Sequence, residues 1–433
     1  MKILNPIVRP SNGLNMEPAT PHEKIEYAET LRKLGTTGEA AEILSSLNPT
    51  DYPHADFVQA MCHFSKWHYG EAIPCLERYV DAPTVPPYQK LVGRLNLAAA
   101  FVHEKNFSKA EPLITALRQE TEEQSHWLLH GHTLELSAQL EIERGQWDSA
   151  LQCLSLAEAC LSRTGSVGLL WIRKWRAICH CLQAGEVRAE LYEVLEEAKK
   201  TDQWETHRDC CYYAAKIKRD VNGMNFVYFG TPYGSYRQNI VQSNHEWYQP
   251  PEVFHWGQAN SDQVFDVSTG CKSDGTQIVP RGQLAHRLAA LLTRDFFRPT
   301  PVVEAFGALF PGEYFNPTTS PNRVHQAVVK LKKCLIADGI DLAIQKREGR
   351  YFWRPENIAI RVKTQTPNPG SGHSIQLDWL IGQFSGHDFT VSEAAQSLGV
   401  SASTGLRLLR WGLSHKRLRR IGSGPATRYR SAA

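Results

Sequence analysis

Four segments of this chain share one pattern: LGTTGEAAEIL, KWHYGEAIPCL, EKNFSKAEPLI and RGQWDSALQCL. Their alanines, Ala40, Ala72, Ala110 and Ala150, are separated by 32, 38 and 40 residues, and three positions before each stands Thr37, Tyr69, Phe107 or Trp147. A helical pattern precedes and follows every copy. Two helices meeting at a tight turn need a small side chain where they cross most closely, and an aromatic three residues earlier fills the gap at the bend. Such a unit cannot bury its apolar face alone, so the copies must stack on one another. A fifth, degenerate copy is expected around Ala189.

These residues resemble tetratricopeptide repeats over residues 20–220. The resemblance implies a mainly α protein opening with an α-solenoid of helical hairpins, which either only stacks and scaffolds or offers its concave face to a protein or peptide. Residues 221–261 break the pattern. Their Gly, Pro, Asn and aromatic content, in VNGMNFVYFGTPYGSYRQNIVQSNHEWYQPPEVFHWG and beyond, shows no sustained helical period but is too aromatic for a free linker. An ordered connector packed on a neighbour is expected. Base stacking on Tyr228, Phe229, Tyr233 or Tyr236 is the competing reading.

Charge divides the chain unequally. Residues 1–280 carry 26 Lys/Arg and 35 Asp/Glu, whereas residues 281–433 carry 22 and 10, so the entire positive excess lies in the last third. That asymmetry points to an anionic partner for the C-terminal part, with nucleic acid a commoner one than membrane for a soluble protein.

Within this basic third, Asn322 to Ile336 forms an amphipathic helix pattern. At 100° per residue Val324, Ala327, Val328, Leu331 and Leu335 gather on one side, while Asn322, Gln326, Val329, Lys330 and Lys333 occupy the other, flanked by Arg323, His325 and Lys332. The polar side has many donors and no carboxylate. Two short strand patterns follow, LAIQK and RYFWR, with Arg347, Glu348 and Gly349 at the turn. Upstream, VFDVSTGCKSDGTQIV reads as strands, GQLAHRLAALLTRDF and PTPVVEAFGALFPG as helices, and Ser320 with Pro321 as a helix cap and first turn.

This order resembles the winged-helix effector domain of OmpR-like response regulators, over residues 262–362. Carried over residue by residue, the resemblance implies groove-facing Asn322, Arg323, Gln326, Lys330 and Lys333, and wing residues Lys346, Arg347 and Arg350. Arg and Lys suit phosphates or guanine, and Asn and Gln suit adenine.

After a Pro/Gly/Ser connector at residues 368–374, a second module is expected at residues 374–431. IQLDWLIGQF supplies a helix, Thr390 caps VSEAAQSLG, and GVSAS turns into ASTGLRLLRWGLSHKRL. On that last helix Leu406, Leu409 and Leu413 point one way, and Ser403, Arg407, Arg410 and Ser414 the other, with Thr404 beside them. RRIGSGPATRYR then resembles a wing carrying Arg419, Arg420, Arg428 and Arg430, and the whole resembles the broad winged-helix family of bacterial regulators. Members of that family also bind proteins and dimerise, so a homodimer contact stays open.

No phosphate-binding loop, zinc-protease, serine-hydrolase or dinucleotide fingerprint occurs, and the 17 histidines are scattered without metal-ligand spacing, so no catalytic residue, cofactor or metal is expected. The ten cysteines lie mostly in helical patterns, as reduced core residues would. No apolar run approaches a membrane span, and MKILNPIVRPSNGLNMEP lacks the apolar core of a signal peptide. The expectation is a cytoplasmic, nucleoid-associated transcriptional regulator that is not an enzyme. Its class alternative is an interaction scaffold whose winged helices bind proteins.

Overall fold

The computed structural model describes residues 19–165, 168–257, 264–313, 315–340, 343–355, 358–363, 372–424 and 427–432. The protein is mainly helical, with nineteen helices and three small sheets among the described residues, and all its sheet lies in the C-terminal part. It divides into two compact units, residues 1–250 and 251–433.

The first unit is a succession of helices; from Pro21–Lys33 through Val221–Phe229 each packs on its sequence neighbours. The aromatic of the repeated motif is the first helical residue: helices Tyr69–Asp81, Phe107–Glu123 and Trp147–Ser162 begin on it, and Thr37–Leu44 begins on its threonine equivalent. Two residues before each start the backbone turns left-handed, at Gly35, Trp67, Lys105 and Gly145, and Ser125 and Asp202 repeat the geometry before helices Trp127–Glu143 and Trp204–Lys218. The next amide N–H then reaches five residues back to cap the preceding helix, as in His68 to the His63 carbonyl (3.0 Å), Asn106 to Phe101 (2.8 Å) and Gln146 to Glu141 (2.9 Å). This is the Schellman closure, which satisfies carbonyls that a helix end would otherwise leave bare. Ala40, Ala72, Ala110 and Ala150 are all fully buried, as a close crossing requires.

The fifth copy differs. Helix Ala189–Lys200 packs on Leu169–Ala184, but Ala189 is exposed and Leu191 takes the fully buried place. The segment expected as a connector also differs, because it contains two helices, Val221–Phe229 and Gly234–Ser243, the first capped by the Asp220 side chain. Its aromatics pack inward. Tyr236 meets Trp67 edge-on at 4.5 Å, Tyr248 donates to Asn225 at 3.0 Å, and Phe229 is fully buried. Of the aromatics offered for base stacking, Tyr228, Phe229 and Tyr236 are buried and Tyr233 is half-buried.

The second unit begins with strand Val253–Gly257, the outer member of a four-stranded sheet. The next strand inward is Ala359–Lys363, which pairs antiparallel with it and parallel with Val264–Asp266; Cys271–Lys272 forms the far edge. Ile360 and Val362 fill its buried face. Helices Leu284–Leu292, Val302–Leu309 and Ser320–Ala337 pack on one another, and a three-stranded sheet, Thr300–Pro301, Arg350–Arg354 and Ala343–Arg347, follows in that spatial order. Three further helices, Gly372–Gln383, Val391–Leu398 and Ala402–Ser414, enclose a core of Leu377, Leu380, Phe389, Leu398, Leu408 and Leu409, closed by the hairpin of Leu418–Ile421 and Arg428–Ser431. Of the connector expected at residues 368–374, positions up to 371 lie outside the described residues, and Gly372, His373 and Ser374 are already helical. The N-terminal segment 1–18 and Pro425-Ala426 of the last turn also lie outside them.

Candidate nucleic-acid interface

Helix Ser320–Ala337 buries Val324, Ala327, Val328, Leu331 and Leu335, the five residues its periodicity selects. The helix starts one residue earlier than Ser320 as a cap would allow, since Thr319 is the capping position and Ser320 is buried, its hydroxyl accepting from the Asn316 N–H at 2.9 Å. Asn322, Arg323, Gln326, Lys330 and Lys333 are exposed together on the opposite side. They are not equivalent. Arg323 is bound within the protein, paired with Glu313 and lying 3.9 Å from the Phe310 ring centre. Its guanidinium holds the Glu313 carboxyl below the usual range. Lys330 donates to Gln283 Oε1 at 3.3 Å, while Lys333 meets no carboxylate among the described residues.

The neighbouring hairpin pairs Ile344 with Trp353 and Arg347 with Arg350, leaving Glu348 and Gly349 as a two-residue turn with positive φ at both positions. That mirror-image turn matches the twist of the strands it joins. Ile344, Tyr351 and Trp353 are buried, whereas Lys346 and Arg347 stand exposed and Arg350 is half-buried. Arg354, exposed on the same hairpin, is a cation that sequence reasoning passed over although RYFWR displays it.

In the C-terminal part, Thr390 caps helix Val391–Leu398 through a capping box with Glu393. The Ser401 hydroxyl accepts from the Thr404 N–H at 3.3 Å to open helix Ala402–Ser414. This helix buries Gly405, Leu408, Leu409 and Gly412, in place of the face drawn through Leu406, Leu409 and Leu413. A Cβ at Gly412 would come within 2.9 Å of the Leu418 side chain, so the absence of one sets how closely hairpin and helix approach. Periodicity counts leucines and overlooks such contacts. Ser403, Arg407, Arg410 and Ser414 remain exposed, and Thr404 is half-buried. On the hairpin Arg419, Arg420 and Arg428 are exposed, Arg420 donating to the Thr427 hydroxyl at 3.2 Å, while Arg430 is paired with Asp388. Lys416, exposed with positive φ between helix and hairpin, extends the cationic surface.

Lys330, Lys333, Lys346, Arg407, Arg410, Arg419, Arg420 and Arg428 thus have no carboxylate at ion-pair distance among the described residues. Unneutralised cations on two helices and their adjoining hairpins produce a positive field suited to a polyanion.

The ten cysteines are unbridged, and burial pushes the thiols of Cys62 and Cys179 up to about 11 and those of Cys210 and Cys211 up to about 12, which keeps them protonated and weakly nucleophilic. Among the described residues no group of His, Cys, Asp and Glu could hold a metal ion, and no helix is long and apolar enough to cross a membrane. In comparisons with known proteins, no family model matches this chain and no curated protein matches it.

Proposed function

We propose that the chain is a DNA-binding transcriptional regulator in which two winged helix-turn-helix modules contact double-stranded DNA and a solenoid of tetratricopeptide-like hairpins receives a protein or peptide. The observation that carries the reading is the set of exposed cations with no carboxylate at ion-pair distance among the described residues: Lys330 and Lys333 on helix Ser320–Ala337, Arg407 and Arg410 on helix Ala402–Ser414, and Lys346, Arg419, Arg420 and Arg428 on the hairpins that follow. Both helices are preceded by two others packed against them, which is the order a winged helix uses to present one helix to the major groove. Asn322, Gln326 and Lys333 then face base edges or phosphates, with Lys346, Arg347 and Arg350 as the first wing. Ser403, Thr404, Arg407 and Arg410 form the second reading face, with Arg419, Arg420 and Arg428 as its wing. Arg323 and Arg430 reach DNA only by leaving Glu313 and Asp388. In the first unit the regular closures and buried alanines support stacked hairpins with a partner-binding groove.

Binding of the full chain to duplex DNA, followed by fluorescence anisotropy across a salt series, tests the proposal. The expected result is affinity that falls steeply and log-linearly with salt. No binding at low salt would reject it in favour of a protein-interaction scaffold.

A further inference from the structure

Inside the second unit lies a cavity of about 540 Å³, within the range of small-molecule sites. One wall is the four-stranded sheet and the loop after it, contributing Asp266, Lys272, Arg281 and Arg361; the other is the C-terminal helical set, contributing Trp379 and Leu398. The two walls are already in register. Gln376 Nε2 donates to the Arg281 carbonyl at 3.1 Å, and the Gln277 side chain approaches Gly399.

Arg281 is the unexplained group. It is 7% exposed, its guanidinium lies 3.5 Å from the Trp379 ring centre, and its Nε has no hydrogen-bond partner. No carboxylate stands at ion-pair distance from it among the described residues. Asp266, the acid lining the cavity, is committed elsewhere: Oδ1 accepts from the Ser268 N–H and hydroxyl and the Thr269 N–H, and Oδ2 faces Arg361 at 3.7 Å and Lys363 at 4.0 Å. A buried guanidinium stays charged, and removing it from water without a counter-charge is costly. Burial accordingly depresses its pKa, against the opposing fields of Cys271 and Asp266. A ring face offsets part of that cost, and an oxyanion would offset far more.

We propose that this cavity binds a small molecule bearing a carboxylate or phosphate, its oxyanion held by Arg281 and Arg361 and its body lying against Trp379. The ligand would touch both walls at once and so fasten the C-terminal helices to the sheet.

Calorimetric titration of the full chain, free of DNA, with inorganic phosphate, with citrate and with a nucleoside monophosphate provides the test. Saturable binding tighter than about 1 mM by at least one of the three is expected. Response to citrate alone assigns a carboxylate ligand, and response to phosphate or the nucleotide alone a phosphate ester. Arg281→Gln should weaken binding by about tenfold or more, the loss expected of a charge-assisted hydrogen bond. Arg361→Gln, at a side chain 41% exposed, should do the same if Arg281→Gln fails to fold. Lys330→Ala with Lys333→Ala should leave the heats unchanged. Silence from all three probes, or binding lost in the lysine variant and retained in Arg361→Gln, overturns the proposal.

Discussion

Two buried cations, one from each unit, are held differently. Lys174 of the first is 8% exposed and its ammonium donates to Asp209 at 2.7 Å; Arg281 of the second is 7% exposed and rests on a tryptophan ring, with no carboxylate at ion-pair distance among the described residues. The contrast extends to the surface. Residues 1–250 carry 25 Lys/Arg against 31 Asp/Glu, and there Arg78, Arg94, Arg144, Arg173 and Arg176 each hold a carboxylate. Residues 251–433 carry 23 against 14, and eight exposed cations on their helices and hairpins hold none among the described residues. The first unit is net negative and many of its arginines are paired, whereas the second is net positive and carries a set of exposed cations outside its ion pairs. Net charge alone, at +3, conceals this.

Separating the units should break the contrast most completely. A fragment of residues 251–433 is expected to bind generic duplex DNA with a Kd between about 1 and 100 µM at physiological salt, and residues 1–250 not at all, as read by anisotropy. The fragment must start before Val253, because strand Val253–Gly257 closes the sheet edge beside Ala359–Lys363. DNA affinity residing in residues 1–250 would reverse the comparison.

Asp209→Ala comes next in size. It removes the carboxylate that the buried Lys174 ammonium donates to, so the first unit should lose about 3–5 kcal/mol in chemical denaturation. The same experiment on the second unit has no counterpart, since Arg281 has no acid to remove; a small loss in Asp209→Ala would show that the first unit does not depend on internal pairing.

Acid should act on the second unit through His286. The ring is 2% exposed, Nε2 contacts the Val267 carbonyl at 2.9 Å, and Nδ1 accepts from the Gly282 N–H at 3.1 Å, an arrangement that only the neutral ring with its proton on Nε2 satisfies. Burial, reinforced by the charge of Arg281, lowers its pKa to about 4. The unfolded chain therefore takes up the proton first. Stability is undiminished above the ordinary histidine pKa near 6.5 and falls as pH drops from there to about 4, by up to about 3 kcal/mol. Urea midpoints at pH 7 and pH 4.5 should differ by less in His286→Gln than in the parent. An equal shift in both would assign the acid sensitivity to other groups.

How far the sequence discloses these features depends on distance along the chain. The helical face of Ser320–Ala337, the Thr390 cap and the repeated alanines are local patterns, and each matches what is observed. Helix Gly234–Ser243 was hidden because Tyr236, and Tyr233 just before it, answer to Trp67 more than a hundred residues away, not to a helical period. Strand Val253–Gly257 is defined by a partner equally remote. The candidate interface was legible as residue types, but not which cations are already held: nothing local reveals that Arg323 pairs with Glu313 or Arg430 with Asp388. Arg281 was invisible, since its burial depends on Trp379.

The finest comparison lies within the second unit, between its two cationic helices. Each phosphate neutralised by one lysine or arginine contributes about 0.9 to the slope of log affinity against log salt. Lys330→Ala with Lys333→Ala should therefore lower the magnitude of that slope by about 1.8 and weaken binding to every sequence alike. Arg407→Ala with Arg410→Ala should do the same if helix Ala402–Ser414 meets the backbone. Added to the lysine pair, it should lower the slope again, because the two pairs lie on separate helices with no shared contact. Should either arginine read a guanine bidentately, its loss costs about 1–3 kcal/mol and relaxes preference at one position instead of reducing the slope. Equal affinity and equal slope after both arginines are replaced, in a variant whose circular dichroism is unchanged, would leave the first helix alone on DNA. The C-terminal helices would then serve a protein partner, or a second copy of the chain.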